Sequence, residues 1–225
     1  MTRRAWVSWS SGKDSALALA EAKQDPDLDV VGLLVTFNAS ADRVAMHAVR
    51  RELVLAQAQR LNLPVTTVEL PYPCPNGEYE QRMGAALAEA TNQGVEAVIF
   101  GDLHLTDVRA YREDMMRGSG VEPLFPLWGR PTDTLATAMF ERGTQAVLTC
   151  VDPGQVPRDL VGRSYDPQLL ADLPLGADPC GENGEFHTFV WDAPDFSAPV
   201  PVRTGNVVER DGFVYCDLLP APGTA

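Results

Sequence analysis

Cysteine is scarce in this sequence, and its spacing excludes two common uses. The four cysteines, Cys74, Cys150, Cys180 and Cys216, lie far apart, and no two of them form a C-x-x-C pair. Closely paired cysteines are the usual mark of structural zinc sites and of thiol redox motifs. We therefore expect buried free thiols in a protein of the reducing cytoplasm rather than a disulfide framework.

The chain also lacks long hydrophobic runs and an excess of basic residues. No window reaches the roughly 18 consecutive apolar residues of a membrane-spanning helix, and the N-terminus has no apolar run of signal-peptide length. The 31 acidic residues outnumber the 18 basic ones, which gives a formal net charge of -13. Because this charge repels polyanions, an extended nucleic-acid interface is not expected. We expect a soluble protein without membrane contact.

The first half of the sequence alternates short β-branched runs with longer amphipathic segments. This alternation is typical of repeated β-α units, and it predicts an α/β fold with an open parallel sheet of about five strands flanked by helices. The predicted strands are Ala5–Trp9, Val30–Phe37, Val65–Leu70, Ala97–Gly101 and Ala146–Val151. The predicted helices are Ser15–Lys23, Arg43–Leu61, Glu78–Asn92 and Thr132–Arg142.

The pattern changes from Asp152 onward, where proline, glycine and aspartate become frequent. A short helix is expected near Pro167–Leu173, and alternating residues then predict three strands joined in part by an Asp-Gly hairpin turn. These strands are Phe186–Trp191, Val200–Glu209 and Phe213–Leu219. We therefore expect an α/β domain over residues 1–152 and a small C-terminal α+β domain over residues 153–225.

A polar loop joins the first predicted strand to the first helix, in the stretch "VSWSSGKDSALALAEA" that begins at Val7. Free backbone N–H groups, the helix dipole and serine hydroxyls at such a junction form an anion site. Gly12 allows close approach of a ligand, and Lys13 supplies a charge that suits a phosphate oxygen. A carboxylate at Asp14 is useful there if it meets a magnesium ion or positions a neighbouring donor.

This loop has two other interpretations. The Walker A pattern does not fit, because no glycine lies five residues before Gly12 and Asp14 takes the place of the required Ser or Thr. An ordinary helix N-cap at Ser10 or Ser11 stays open, since serine caps many helices that bind nothing.

A second polar segment lies far along the chain, in "CGENGEFHTFVWDAP" from Cys180 onward. Its side chains at Glu182, Asn183, Glu185 and His187 could bind a cation or an amine, or act as acid and base. Strand alternation would place Glu185 and His187 on the same face. The alternative is a solvated polar turn in which His187 makes one surface hydrogen bond.

These segments resemble motifs of known families. The stretch "SWSSGKDSA" is similar to the PP-loop of the ATP pyrophosphatases, whose usual form is S-G-G-K-D-S, with Ser11 in place of the first glycine. The stretch "GENGEFHTFV" resembles the G-E-x-G-E-[FY]-x-T motif of the diphthine:ammonia ligase family within that class. Further matches are "MHAVRRELVLAQAQRLNLP", "VIFGDL" and "RAYREDMMRGSGVEPLFPLWG". The resemblance runs from about residue 7 to residue 194.

This resemblance implies a HUP-type, Rossmann-like α/β domain that binds ATP, and a small C-terminal domain that closes over the substrate. It implies an ATP-dependent, AMP-forming ligase: a carboxylate is adenylated, pyrophosphate leaves, and ammonia displaces AMP to give an amide. The implied cofactors are ATP and Mg²⁺. The implied partners are a small-molecule or protein-borne carboxylate and ammonia, and a homodimer is one expected assembly.

The resemblance also assigns roles to residues. The nucleotide-binding set is Ser10, Ser11, Gly12, Lys13, Asp14, Ser15, Met46, His47, Gly101 and Asp102. The catalytic set is Lys13, Asp14, Glu182, Glu185 and His187, with the last three facing the acceptor or ammonia. Asp14 is the candidate Mg²⁺ ligand. Arg109 and Arg112 either stabilise charge on the α-phosphate or pair with acidic neighbours on a helix surface.

Two alternatives to this function stay open. One is a PP-loop tRNA-modifying or sulfur-transfer enzyme, against which the net charge and the missing C-x-x-C pairs both count. The other is a sensor that binds ATP without turnover, against which the density of polar groups around Glu185 counts.

Overall fold

The computed structural model describes residues 2–44 and 47–222, and it contains two β-sheets with helices around the first of them. Met46, one of the predicted nucleotide-binding residues, lies outside the described residues. The α/β fold class predicted from the sequence is confirmed.

The first sheet has six strands, of which five are parallel. The strands are β1 (Arg3–Ser8), β2 (Leu28–Asn38), β3 (Arg43–Val44), β4 (Val65–Leu70), β5 (Ala97–Ile99) and β6 (Glu122–Leu124). The parallel strands lie in the order β4-β2-β1-β5-β6, and the short β3 pairs antiparallel with the end of β2. β1 is central, so the segment that follows it emerges in the middle of the sheet.

Helices cover both faces of this sheet because its strands are apolar on both sides. On β1, Val7 belongs to one apolar cluster, which includes residues of α1 (Lys13–Gln24), α2 (Arg51–Leu61) and α5 (Thr132–Glu141). Trp6 belongs to a second cluster, which includes residues of α3 (Asn76–Asn92) and α4 (Thr106–Met116). This two-sided burial is the normal state of a parallel sheet. Within the described ranges, no helix is long and apolar enough to cross a membrane.

The second sheet is antiparallel and lies in the C-terminal part of the chain. Its strands are β7 (Gln145–Val151), β8 (Ser164–Tyr165), β9 (Phe186–Asp192), β10 (Val202–Arg210) and β11 (Phe213–Pro220). β9 pairs along most of β7, while β11 and β8 pair with its other edge. A 3₁₀ turn over Arg158–Leu160 and helix α6 (Pro167–Asp172) connect these strands.

Two predicted elements differ from the structure. The segment Ala146–Val151 was predicted as the fifth parallel strand, but it is the centre of the second sheet, and the fifth parallel strand is β6. A continuous apolar run fits the centre of either sheet, and Pro123 obscured the strand character of β6. The division of the chain at residue 152 stays a prediction, although the second sheet takes its central strand from before that point.

The predicted helix Arg43–Leu61 is also too long. The helix begins only at Arg51; Arg43 and Val44 form β3 instead, and Arg50 makes an antiparallel bridge with Arg43. The hairpin turn is confirmed, because Asp211 and Gly212 both have positive φ, at 53° and 85°. These values suit the two-residue turn that joins β10 to β11.

The two sheets meet at the loop after β1. The backbone N–H of Val190 on β9 donates to the carbonyl of Ser11 at 3.0 Å. Nearby, Gln57 of α2 is fully buried, and its Nε2 donates to the carbonyls of Val190 at 2.6 Å and Ser11 at 3.1 Å. Its Oε1 accepts from the indole N–H of Trp9 at 2.8 Å. Strand β9 therefore holds the loop from one side.

Candidate functional site

A cavity with a volume of about 400 Å³ opens where the parallel strands end and the second sheet begins. This is the edge at which open α/β sheets bind ligands. Its polar lining includes Ser10, Lys13, Asp14, Ser15, His47, Asp102, Arg112, Glu182, His187 and Thr188. Its apolar lining includes Leu34, Leu70, Met83 and Phe100. The cavity thus has a charged side near α1 and an apolar side near β2 and β4.

The N-terminus of helix α1 meets this cavity without a side-chain cap. The N-cap residue is Gly12, which has no side chain to supply one. A Cβ atom at this position would come within 2.6 Å of Cε1 of His47 and 3.2 Å of the carbonyl of Thr188, so only glycine fits. A helix end whose N-cap residue supplies no side chain carries backbone N–H donors and a positive dipole, which together favour an anion.

Gly101 allows the same helix to approach the sheet. A Cβ atom there would lie 2.8 Å from the carbonyl carbon of Asp14 and 2.9 Å from the backbone nitrogen of Ser15. Because non-bonded atoms do not come this close, a side chain at this position would push the first turn of α1 away. Gly101 itself lines the cavity.

Ser11 is buried beneath the loop rather than in the cavity lining. Its φ is +72°, in the left-handed region that glycine adopts most easily. Within the described part of the chain, its buried Oγ has no hydrogen-bond partner. The loop therefore keeps the backbone conformation expected of a glycine, while the serine hydroxyl makes no hydrogen bond within the described part of the chain.

Lys13 and Asp14 form a buried pair at the charged side of the cavity. The side chain of Lys13 is only 2% exposed, and its Nζ donates to the two carboxylate oxygens of Asp14 at 2.9 and 2.8 Å and to the carbonyl of Cys180. The rings of Tyr165 and Phe186 lie 5.4 and 5.5 Å from the same nitrogen. Burial lowers the pKa of Lys13, but the surrounding negative charge, chiefly Asp14, outweighs burial and raises it. The ammonium therefore stays charged.

His47 and His187 stack at the wall of the cavity, with ring centroids 4.7 Å apart. Nδ1 of His47 lies 2.9 Å from the carbonyl of Thr188, and because a carbonyl only accepts, that nitrogen carries the proton. Burial lowers the pKa of His47 to about 4 and that of His187 to about 3, with Lys13 adding to both shifts. Both rings are therefore neutral near pH 7.

The two glutamates of the second segment have different positions. Glu182 lines the cavity, and its Oε1 accepts from the backbone N–H groups of Leu103 at 2.8 Å and His104 at 3.3 Å. Burial raises the pKa of Glu182. Glu185 is 2% exposed and does not line the cavity.

Glu185 instead holds the loop around it together. Its Oε1 accepts from the backbone N–H of Asp178 at 2.8 Å and from Nδ2 of Asn183 at 3.1 Å, and its Oε2 accepts from the backbone N–H of Asn183 at 2.9 Å. The predicted alternation of Glu185 with His187 does not apply, because β9 begins only at Phe186. The structure therefore places His187 at the cavity and Glu185 inside the loop.

The predicted residue Asp102 lines the cavity as part of an ion pair. Its Oδ2 lies 2.8 Å from Nε of Arg112, and the guanidinium of that arginine lies 4.4 Å from the ring centre of Phe100. Arg109 does not line the cavity; it packs between Phe125 and Trp128 and pairs with a glutamate on its own helix. Of the two predicted arginines, Arg112 lines the cavity and Arg109 does not.

Sequence reasoning gave no role to Thr188 and did not identify Gln57. Thr188 belongs to the GEFHT segment, and its Oγ1 accepts from the backbone N–H of Lys13 at 3.1 Å. Gln57 shares a buried helical stripe with Leu53 and Leu61. A polar side chain at the centre of an apolar stripe was the signal that could have identified it.

Two family models match this chain. The model described as "Diphthamide synthase N-terminal domain" matches residues 3–123, and the one described as "Diphthamide synthase C-terminal domain" matches residues 131–217. The first match alone covers more than half of the sequence. It contains Ser10 to Ser15, whereas the second contains Glu182, Glu185 and His187.

Curated relatives are similar over parts of the chain. A "Diphthine--ammonia ligase" of Schizosaccharomyces pombe is 30% identical over 128 residues, which are 55% of this chain and 21% of that protein. The proteins of the same name from Bos taurus and Homo sapiens are 29% and 28% identical over 151 residues, which are 64% of this chain and 56% of theirs. The chain therefore spans little more than half the length of the mammalian relatives, and about a fifth of the yeast protein.

Proposed function

Because the chain belongs to the diphthamide synthase family, we propose that it is an ATP-dependent ligase of the diphthine–ammonia type. It joins ammonia to a carboxylate and forms AMP and pyrophosphate. The observation that carries this proposal is the N-terminus of α1, whose N-cap residue Gly12 supplies no side-chain cap and which opens with the buried ammonium of Lys13 into one cavity with Glu182 and His187.

The cavity has the size and the two-sided character that ATP requires. Its volume of about 400 Å³ lies within the roughly 300–1,000 Å³ of ordinary small-molecule sites. The triphosphate fits the side of Lys13, where charge and free N–H groups favour anions. The adenine and ribose fit the side of Leu34 and Leu70, where the wall is apolar. His47, stacked beside the loop, reaches the same space.

When bound, ATP supplies an adenylyl group that converts a carboxylate into an acyl adenylate, which ammonia can attack. The protein contributes fixed positive charge, because Lys13 is held in place by Asp14 and the carbonyl of Cys180. A charge that is already oriented stabilises negative charge that develops on phosphate without reorganisation. Ser10 and Ser15 place hydroxyl groups at the same side, where Oγ of Ser15 donates to the carbonyl of Gly12 at 2.9 Å.

We propose that Mg²⁺ enters with the nucleotide and contacts Asp14. Among the described residues, no group of three or more His, Cys, Asp or Glu side chains could hold a metal ion. A site with few protein ligands fits magnesium, which usually keeps waters and takes its other ligands from phosphates. The side chain of Asp14 is 25% exposed and has lone pairs left beside its bonds to Lys13.

The opposite wall is suited to the amine. Ammonia is mainly ammonium at neutral pH, and a carboxylate at Glu182 can attract it and remove a proton. Burial raises the pKa of Glu182, which makes its carboxylate a stronger base. His187 is neutral, and its Nε2 is buried without a partner in the described part of the chain, so it can bond to the amine. Glu185 acts indirectly, by shaping this loop.

The substrate proposed for this site is a diphthine-type carboxylate, as in the names of the relatives, with ammonia as the amine. The site of action proposed is the cytoplasm. Asp102 and Arg112 form an ion pair at the cavity wall, and Arg112 can leave this pair to bind an acidic acceptor. A homodimer stays a prediction.

The test is product analysis after incubation with ATP, Mg²⁺, ammonium and the acceptor. We expect AMP and pyrophosphate in equal amounts, with turnover lost in Lys13→Met. Lys23→Met is the matched control, since Lys23 lies on the same helix but pairs with Asp195 outside the cavity. Formation of ADP and phosphate would refute the proposal.

The same assay separates the two alternatives. A sulfur-transfer enzyme needs an accessible thiol, yet Cys150, Cys180 and Cys216 are buried and only Cys74 is partly exposed. Retention of activity in Cys74→Ser together with no binding of bulk tRNA at physiological salt rules out that alternative. Binding of ATP with no turnover for any acceptor would favour the sensor.

A further inference from the structure

His47 lies between two arginines that are joined to each other; the described residues of this segment, Arg43, Val44 and His47 to Arg50, are called the His47 loop. A bridge joins its two ends, and the backbone N–H of Val44 donates to the carbonyl of Val49 at 2.9 Å. Ala48 has a φ of +53°, which is costly for a residue other than glycine. A loop with such a conformation persists only when its surroundings hold it.

Asp217 on β11 holds both ends of this loop. Its Oδ1 accepts from Nη1 of Arg43 at 2.8 Å and from Nε of Arg50 at 3.1 Å, and its Oδ2 accepts from Nη2 of Arg50 at 2.7 Å. Nη1 of Arg43 also donates to the carbonyl of Ala48 at 2.7 Å, inside the loop. One carboxylate of the second sheet is therefore bound by both arginines that close the loop.

The far end of the His47 loop lies against the loop between β1 and α1, which contains Ser10 to Gly12 and which we call the phosphate loop. Nδ1 of His47 donates to the carbonyl of Thr188, and its ring lies so close to Gly12 that no Cβ atom fits between them. His47 lines the cavity, whereas Asp217, Arg43 and Arg50 do not. The position of the imidazole thus depends on a loop that is fixed from outside the cavity.

We propose that Asp217 is a positioning residue of the nucleotide site: by binding Arg43 and Arg50 it fixes His47 against the phosphate loop. This inference rests on the proposed function, because it treats the cavity as the site of ATP. It gives the β10–β11 hairpin a role, which is to complete a site that lies at the edge of the other sheet.

The geometry differs from that of an ordinary surface ion pair. Such pairs contribute little when long side chains are free to move, and more when a carboxylate is bound in bidentate fashion within a network. The side chains of Asp217, Arg43 and Arg50 are 20%, 25% and 35% exposed. Hydrogen bonds from Arg50 lower the pKa of Asp217, so the carboxylate stays charged at neutral pH.

The test compares Asp217→Asn with the matched control Asp195→Asn. Asp195 is equally exposed, at 20%, and also binds two cations, Lys23 and Arg142, but it lies outside the cavity. Affinity for α,β-methylene-ATP, which cannot be cleaved at the proposed bond, is measured by calorimetry. We expect Asp217→Asn to weaken binding by about tenfold or more through misplacement of His47, and Asp195→Asn to leave it unchanged.

A second readout is independent of ATP. The pKa of the His47 imidazole, followed by NMR, should rise from about 4 toward its ordinary value of roughly 6.5 in Asp217→Asn, because a detached loop exposes the ring. Arg50→Gln, which removes the same contact from the other side, should reproduce both effects and guards against a folding defect in one variant.

The outcomes separate this inference from the proposed function. If both variants leave the pKa of His47 and the affinity for the analogue unchanged, Asp217 is not a positioning residue, whatever the chain catalyses. If the pKa of His47 rises but the wild-type protein binds no analogue, the coupling to His47 stands and its role in a nucleotide site is overturned together with the proposed function.

Discussion

The backbone N–H of Lys13, at the start of helix α1, donates to the side-chain Oγ1 of Thr188 on β9 at a distance of 3.1 Å. One residue belongs to the phosphate-loop segment and the other to the GEFHT segment, 175 positions later. Thr188 thereby accepts the first N–H of the helix, for which the N-cap residue Gly12 has no side chain. The two segments that resemble family motifs are thus parts of one site.

Thr188→Val tests this link, because valine keeps the shape and removes the acceptor. Thr188 is 1% exposed, so the N–H of Lys13 would be left buried and unpaired. We expect the free energy of unfolding to fall by about 1–3 kcal/mol and ATP binding to weaken. Thr188→Ser keeps the hydroxyl and should retain ATP affinity. Denaturant titration measures the free energy of unfolding, and calorimetry measures the affinity for ATP. Equal ATP affinity in Thr188→Val and Thr188→Ser would show that the hydroxyl is unimportant.

Ser11→Gly should stabilise the protein. Glycine relieves a left-handed φ of +72° that costs about 1–2 kcal/mol, and it removes a buried hydroxyl whose lack of a partner costs about 1–3 kcal/mol. The greater flexibility of unfolded glycine offsets roughly 0.5–1 kcal/mol of this gain. Ser11→Ala removes only the hydroxyl and should fall between wild type and Ser11→Gly in thermal unfolding. A lower melting temperature for Ser11→Gly would mean that the serine makes a contact in the folded protein.

Much of the fold could be predicted because it depends on local patterns. Strands β1, β2, β4 and β5, and helices α1, α3 and α5, follow from apolar periodicity and turn residues. The assignment of β7 to a sheet could not be predicted, since a strand buried on both faces has no pattern that identifies its partners. Helix α2 was predicted to be longer because Val49, which belongs to the His47 loop, lies by chance at helical spacing from Leu53.

The site was predictable in composition but not in the direction of its side chains. Ser10, Lys13 and Glu182 line the cavity as the motifs suggested, whereas Ser11 and Glu185 are buried beside it. Whether a loop carboxylate faces a ligand or its own backbone depends on contacts between distant segments. Asp217 could not be connected with His47 from sequence for the same reason.

Glu182 and Glu185 should respond differently to replacement by glutamine. Glu185→Gln places an amide N–H₂ where Asp178 and Asn183 donate, so the free energy of unfolding should fall by about 1–3 kcal/mol. Glu182→Gln keeps an acceptor for Leu103 while it removes the charge, so turnover should fall with little change in stability. Chemical denaturation and product analysis of both variants check this. Unchanged stability in Glu185→Gln would contradict its structural role.

The stacked histidines should make stability fall in mild acid. Their pKa values are about 4 for His47 and about 3 for His187 in the folded protein, against roughly 6.5 when unfolded. Below pH 6.5 the unfolded chain binds protons that the folded chain does not. The contribution of the two histidines to the free energy of unfolding is therefore complete above that pH. As the pH falls toward 4, the free energy of unfolding decreases by about 1.4 kcal/mol per pH unit for each histidine.

His187→Gln isolates this contribution from that of the carboxylates, which titrate in both proteins. The slope of unfolding free energy against pH between 4.5 and 6.5, measured in urea, should be shallower in the variant by the share of one histidine. Equal slopes would mean that His187 titrates normally in the folded state.

The most direct test of the proposed chemistry uses an acceptor whose carboxylate is labelled with oxygen-18, incubated with ATP, Mg²⁺ and ammonium. Because adenylation joins a carboxylate oxygen to the α-phosphate and ammonia then breaks the bond from carbon to that oxygen, AMP should carry one labelled oxygen for each amide formed. Mass spectrometry of the recovered AMP measures it. Amide formation with unlabelled AMP, or with the label in inorganic phosphate, would contradict the account.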